Sequence, residues 1–432
     1  MVAGILVVLF VPLVLLFIGF AVRRFQPSRR PNPRLGMDAL AANVPTFKIV
    51  ALGLQGSGKT LLLSSMYQQL LMPTPSRSYY LVTSHEDSAR LREQFCIMAD
   101  SSRPDGWPEG TTQSQTRHYK FSVQTQTAGD PLEVLRLDYL EYPGELLTDT
   151  RPASAEAQQR FHQDVKAADA LICILDGQVI LEQRRETSGR WSGLDNALSV
   201  LVENLRASRG PITFVITKWD LFGGDVDDDQ TKLQEVSDLL MSNDQFRQLL
   251  ILKGGRRIVR LIPASAVGTG FARLDASGRV VKIANRPAQP TNVDVPLSAV
   301  VPDVFAQAEA TLRAELRAQL AAEYAAHLRI PPWQRLYTVL DLASRPATGA
   351  VLQAFGGNIG AAVGGTTVEL LLSRRAEPFQ AWQAEVQREL SDAERREAAF
   401  AEARTRVIKD MQDRVDEIET RLPASLLTPH PG

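Results

Sequence analysis

The sequence predicts an α/β fold: a mainly parallel sheet with helices on both faces, an N-terminal transmembrane helix, and an all-α C-terminal extension. Three observations carry this prediction. Four short runs are apolar nearly without interruption, Phe47–Leu52, Ala170–Leu175, Ile212–Ile216 and Ile258–Ile262, as strands buried on both faces require. Segments of helical period separate them, which is the order that generates parallel strands through crossovers. Each run ends in a polar or glycine-rich string, and in such sheets ligands bind outside the carboxyl ends of the strands.

The first of these strings organises the rest. Gly53-Leu-Gln-Gly-Ser-Gly-Lys-Thr60 follows a strand pattern and precedes the helical pattern Leu61–Leu70, fitting GxxxxGK[ST] at every fixed position. Gly53, Gly56 and Gly58 let successive N–H groups fold around an anion at a helix start, with Ser57 inside the same turn. Lys59 is placed to reach β/γ-phosphates and Thr60 to hold Mg²⁺. The loop therefore implies a nucleoside triphosphate.

Composition bounds the class. With 432 residues, 44% of them hydrophobic, and a formal charge of −1, the chain can bury a large core and shows no basic excess suited to nucleic acid. Cys96 and Cys173 stand far apart without metal-ligand spacing, which suits a reducing compartment.

Before the loop, Val2 to Val22 contains no charge and has the length of a bilayer span, about 20 residues at 1.5 Å each. Arg23, Arg24, Arg29, Arg30 and Arg34 follow it. By the positive-inside rule this order keeps the remainder in the cytoplasm and disfavours a cleaved leader. Residues 1–24 are thus read as a single-pass anchor in the cytoplasmic membrane and 25–46 as a Pro/Arg-rich linker.

A nucleotide-binding domain is expected over 47–330, with an insertion at about 73–110. Within the insertion, Tyr79–Thr83 has strand character, and Ser84 with Asp87 resembles a capping box opening a helix to about Met98. Two adjacent strand patterns follow, His118–Val123 and Val134–Leu140, the second running into Glu141-Tyr-Pro-Gly-Glu145. Strand alternation places Asp138 and Glu141 on opposite faces, so both cannot face one metal unless the strand bends. Residues 271–299 read as loop with a short hairpin around Ser277-Gly278, and a last helix is expected beyond Pro302.

These separated strings, in this order and each at a strand end, resemble a GTPase of the translation-factor-related P-loop class, and the EYPGE form resembles the bacterial stress-associated and double-GTPase relatives. The resemblance covers about residues 47 to 330 and implies GTP/GDP and Mg²⁺ as ligands. Thr217-Lys-Trp-Asp220 matches the guanine-reading [NT]KxD motif. Asp220 would accept from guanine N1–H and its amine, and the Lys218 stem would cover the base; adenine offers no matching donor pair. Ser265-Ala266 resembles the SA loop at guanine O6, with Val267 replacing the usual Lys or Leu. Gly144 aligns with the glycine whose N–H meets the γ-phosphate, which puts Glu141 where Asp usually orients the metal's water. Glu145 stands where many relatives carry a water-orienting Gln, so intrinsic hydrolysis is expected to be slow. Thr111 or Thr112 is the candidate switch threonine on Mg²⁺. Arg117 and Arg151 lie near the switches without an assigned role.

The region 331–432 is expected to be helical. Gly356, Gly360 and Gly364 form a four-residue repeat within 346–372, suited to close helix approach, to membrane association or to packing on the domain itself. From 379 to 422 a charged helix carries Val386, Leu390, Phe400, Ala403, Val407, Met411, Val415, Ile418 and Leu422 on one stripe, for a coiled coil with a partner or for folding back on its neighbours. The expected function is a membrane-tethered GTP-binding switch with slow hydrolysis, acting on its C-terminal helices, on an unidentified protein or by self-association. The alternatives are a non-hydrolysing nucleotide-binding scaffold in a membrane complex, a P-loop ATPase, and a membrane-remodelling protein.

Overall fold

The computed structural model describes residues 44–108, 116–126, 131–148, 155–185, 193–206, 208–223, 228–253, 257–307 and 379–428. The apolar run 2–22, most of the linker, Thr111, Thr112, Arg151 and the glycine repeat of 346–372 lie outside the described residues. Among the described residues no helix is long and apolar enough to cross a membrane.

The apolar runs form strands by the alternation that two-sided burial demands. In β1 (Thr46–Gly53), Phe47, Ile49 and Ala51 join the core on one face of the sheet, while Val50 and Leu52 join the core on the other. In β5 (Ala170–Asp176), Ala170, Ile172 and Ile174 divide from Leu171, Cys173 and Leu175 in the same way. Burial drives the Cys173 thiol well above its ordinary pKa, leaving it an inert core residue.

Seven strands make the main sheet. With β2 (Tyr79–Val82), β3 (Arg117–Thr125), β4 (Leu132–Glu141), β6 (Ile212–Thr217) and β7 (Val259–Pro263), the order is β2-β3-β4-β1-β5-β6-β7. Strands β4, β1, β5, β6 and β7 run parallel; β3 is antiparallel to both β4 and β2 at one edge. The strand inside the expected insertion is therefore an edge strand of the main sheet. A separate hairpin, β8 (Ala272–Leu274) with β9 (Val280–Lys282), turns around Ser277-Gly278.

Helices cover both faces. One face is packed by α1 (Lys59–Gln69), and α2 (His85–Ala99) lies on α1 with Leu91 and Met98 buried. The side chain of Ser84 caps α2 by accepting from the Asp87 N–H at 3.1 Å. The other face carries α4 (Ala155–Ala167), α5 (Gly177–Arg185), α6 (Gly193–Leu205), α7 (Asp229–Ser242) and α8 (Asp244–Lys253); the short α3 (Glu145–Thr148) follows β4.

Two findings revise the expected C-terminal organisation. The helix expected beyond Pro302 starts earlier, spanning 295–307 as α9, and packs Val300, Val301, Val304 and Phe305 into the α1-side core. The long α10 (Phe379–Arg421) does not present its 403–422 stripe to a second coil: Ala403, Val407 and Met411 join the α1-side core, Ile418 packs with Ile262 and Val295, and Leu422 reaches the opposite core. Arg260, buried on β7, makes a bidentate pair with Asp303 at 2.6 Å and a second contact with Glu419 of α10. Leu427 N–H donates to Val259 O at 2.9 Å. The part of the apolar stripe from Ala403 to Leu422 is therefore covered by the chain's own cores.

Candidate functional site

The loop after β1 takes the conformation that its glycines permit. Gly56 and Gly58 have φ of 80° and 83°, values that L side chains rarely adopt. They turn the chain into α1 with Gly58 as the residue before the first helical turn. Lys59, only 9% exposed, folds its ammonium back onto the loop and donates to Gly53 O at 2.7 Å and Leu54 O at 2.9 Å. Burial lowers its pKa to about 8, opposed by the carboxylate of Glu141.

The end of β4 closes against this loop. Thr60 Oγ1 donates to Glu141 Oε1 at 2.6 Å, and Glu141 is buried. Asp138 sits on the other face, half-exposed beside His118 at 3.6 Å, so strand alternation separates the two carboxylates as expected. Gly144 meets the loop so closely that a Cβ there would lie 2.2 Å from Gln55 N, so glycine is required for this approach. Tyr142 anchors the turn by bonding Asp164, which pairs with Lys48 at 2.6 Å.

At the end of β6 the hydroxyl of Thr217 donates to Ser57 O at 2.7 Å and to Leu175 O at 3.1 Å, tying the phosphate-type loop to the next motif. Lys218 takes a left-handed φ of 53° and pairs with Asp176 at 2.7 Å. Asp220 accepts from Ser265 Oγ at 2.5 Å; burial raises its pKa, while the Ser265 bond works against that. Ser265 is buried, and its hydroxyl accepts from Gly268 N–H at 2.7 Å, which orders the loop after β7.

Two cavities of about 200 Å³ each open at this edge of the sheet. One is lined by Gln55, Gly56, Lys59, Thr60, Glu141 and Gly144, among others. The other is lined by Thr217, Lys218, Asp220, Ala266, Trp107 and Val280, among others. Gly58 and Leu61 line both, so the two spaces adjoin across one turn of the loop. A polar anion-binding end and an apolar end with a single half-buried carboxylate suit a ligand that is charged at one end and flat at the other.

The polar end also fits a hard cation. Thr60 and Glu141 supply oxygen donors within one hydrogen bond of each other, and Glu141 Oε2 is buried without a hydrogen-bond partner. Among the described residues no group of three or more His, Cys, Asp or Glu forms a metal site by itself. That pattern suits Mg²⁺, which is commonly held by one or two protein oxygens together with substrate phosphates.

Of the residues singled out from sequence, Ser265 stands behind the cavities and acts through Asp220, while Glu145 opens α3 and does not line either space. The sequence reading missed much of the walls. Met98 and Trp107 come from the expected insertion, and Ala272 and Val280 from the hairpin. Trp107 donates from Nε1 to Val280 O at 2.8 Å and lines the apolar cavity. Lys282 ties these segments together, donating to Ile97 O, Asp100 O and Gly106 O at 2.7–2.8 Å. The available signal was the Leu91, Phe95, Met98 spacing on α2, which marks a packed face of the insertion.

A sheet edge with a phosphate-type loop and two adjoining cavities is the architecture of a nucleotide-binding P-loop domain. Residues 48–249, just under half of the 432-residue chain, match the Double-GTPase 2 family model, so this segment is similar to that family. The segment ends before Ser265-Ala266, which the fold brings to the same site. Among solved structures, the chain is similar to the crystal structure of the S. cerevisiae Ski7 GTPase-like domain bound to GDP and inorganic phosphate, at 13% identity and a TM-score of 0.31, covering 58% of this chain and 49% of that one. The chain thus spans about half the length of that structure. No curated protein matches.

Proposed function

We propose that the chain is a membrane-tethered guanine-nucleotide switch that binds Mg·GTP and hydrolyses it slowly. The observation that carries this reading is the adjoining pair of cavities, Lys59 in one and Asp220 in the other, sharing Gly58 and Leu61. In this reading the backbone of Gly53–Thr60 and the Lys59 ammonium hold the phosphates, while Gly144 N–H meets the γ-phosphate. Asp220 accepts from guanine N1–H and its amine, the Lys218 stem lies along the base, and the Ala266 N–H meets O6. Trp107 and Val280 close the apolar side. Thr60 and Glu141 would hold Mg²⁺, which would supply charge neutralisation when bound.

Calorimetry of the full-length protein in detergent, with GTP, GDP and ATP in the presence of Mg²⁺, tests the reading. GTP and GDP are expected to bind at least roughly a hundredfold tighter than ATP, because adenine leaves Asp220 unpaired. Equal affinity for ATP would overturn it in favour of a P-loop ATPase. The tether rests on the uncharged run 2–22 followed by five arginines; release of the protein from membranes by alkaline carbonate would remove it. One observation favours a second reading, a nucleotide-held scaffold that does not turn over: Glu145 does not line the phosphate-side cavity. Single-turnover phosphate release separates the two. In either reading, α10 is the element through which nucleotide state reaches the rest of the chain or a partner. Its Arg421 bonds Asn292 at 2.8 Å, and the neighbouring Thr291 pairs with Ser265 of the guanine loop.

A further inference from the structure

Hydrolysis at this site, as read above, asks for positive charge beyond what binding requires. As water attacks, a bond forms between its oxygen and the γ-phosphorus while the bond to the β,γ-bridging oxygen breaks. The electron pair leaves with GDP, one water proton stays on the new phosphate and the other goes to solvent. Negative charge grows on the bridging oxygen as this happens, and fixed cations aimed there lower the barrier.

The wall of the phosphate-side cavity contains one cation that the sequence motifs leave unused. Arg117 is the first residue of β3 and lies opposite Glu141 in the antiparallel β3–β4 register. Directly opposed residues send their side chains to the same face of a sheet. The next residues of that alternation on β3, Tyr119, Phe121 and Val123, are buried in the α1-side core, so the Arg117 face is the α1 face. Arg117 itself is half-buried and lines the cavity together with Lys59, Thr60, Glu141 and Gly144. Lys59 approaches from the loop and Arg117 from the far side of β4, so a triphosphate in this space has a cation on each flank. The planar fork of Arg matches phosphate oxygens better than a point charge does.

We propose that Arg117 is a catalytic residue, supplied by the chain itself, whose guanidinium contacts the γ-phosphate and the bridging oxygen and stabilises the charge developing there. The proposal rests on the GTP-binding reading, and its test separates the two. Single-turnover hydrolysis of Mg·GTP and GTP affinity by calorimetry are measured on the full-length protein in detergent, for wild type, Arg117→Ala and Arg117→Lys, with melting temperatures as a check on folding.

A stabilising arginine is commonly worth three decades or more in rate, so Arg117→Ala is expected to slow hydrolysis at least roughly a hundredfold with GTP affinity changed by less than about threefold, and Arg117→Lys to recover part of the rate. GDP with aluminium fluoride, which mimics the transferring group, is expected to lose affinity in Arg117→Ala while GDP alone does not. If Arg117→Ala fails to fold, Arg117→Lys and the aluminium fluoride measurement carry the test. Rates within threefold of wild type, an affinity loss equal to the rate loss, or a wild type that binds GTP without hydrolysing it would each overturn the proposal while leaving GTP binding intact. A wild type that does not bind GTP overturns the underlying reading as well.

Discussion

The two ends of the cleft are built by different means. The polar end is made largely from one continuous string, Gly53–Thr60, closed by Glu141–Gly144; its shape follows from positive φ at two glycines and from the close approach of a third. The apolar end is gathered from separate parts of the chain: Leu61 on α1, Met98 and Trp107 at the end of the insertion, Thr217–Asp220, Ala266 and Val267, and Ala272 and Val280 on the hairpin. Backbone donors suffice for an anion, and a short peptide can encode them. A flat apolar ring needs walls on several sides, which only tertiary structure supplies.

That contrast predicts unequal consequences. Replacing Lys59 with Ala is expected to have the largest effect, weakening GTP, GDP and tripolyphosphate alike by roughly a hundredfold or more, because a buried charge is lost from an anion site. Calorimetry with the three ligands reads it, and a loss confined to the nucleosides would contradict the assignment of that end. Asp220→Asn acts at the other end. It exchanges an acceptor of two guanine donors for an amide, so GDP is expected to bind roughly tenfold to hundredfold more weakly while tripolyphosphate is unchanged. Parallel losses for both ligands would mean that Asp220 holds the fold rather than reads a base.

The parallel strands and the phosphate-type loop were legible in the sequence because two-sided burial and positive-φ glycines leave local traces. The separation of Glu141 from Asp138 onto opposite faces also followed from alternation alone, and the geometry agrees: Glu141 bonds Thr60 while Asp138 faces the other side. The packing of α10 was open between a partner helix and the chain's own core, because an amphipathic stripe specifies a surface to cover and not its cover. The place of Trp107 was not legible for a similar reason: its bond to Val280 O, about 170 residues away in sequence, has no local signature. Trp107→Ala is therefore a test of the assembled wall. GDP affinity is expected to fall roughly tenfold, the worth of an aromatic contact, with no change for tripolyphosphate. Quenching of Trp fluorescence by GDP, absent in that variant, would place the ring at the base; an equal loss for tripolyphosphate would remove it from there.

The smallest expected effect is in pH, and its sign differs between the ends. Lys59 in the free protein has a pKa of about 8, lowered by burial. A bound phosphate favours the ammonium and raises that value, so affinity is full while the free lysine is protonated and is lost as pH rises through 8. Between pH 7 and 8.5 this single group accounts for about a fourfold decline in tripolyphosphate affinity. Asp220 is shifted in the other sense: burial raises its pKa above the ordinary carboxylate value, and guanine binding requires its ionised form. Preference for GDP over ADP is therefore expected to be steady at neutral pH and to fall on acidification, starting at a higher pH than an exposed Asp would give. Tripolyphosphate, which lacks a base, should show only the alkaline decline, and a GDP-to-ADP ratio that changes above pH 8 instead would mean that the two ends do not titrate independently.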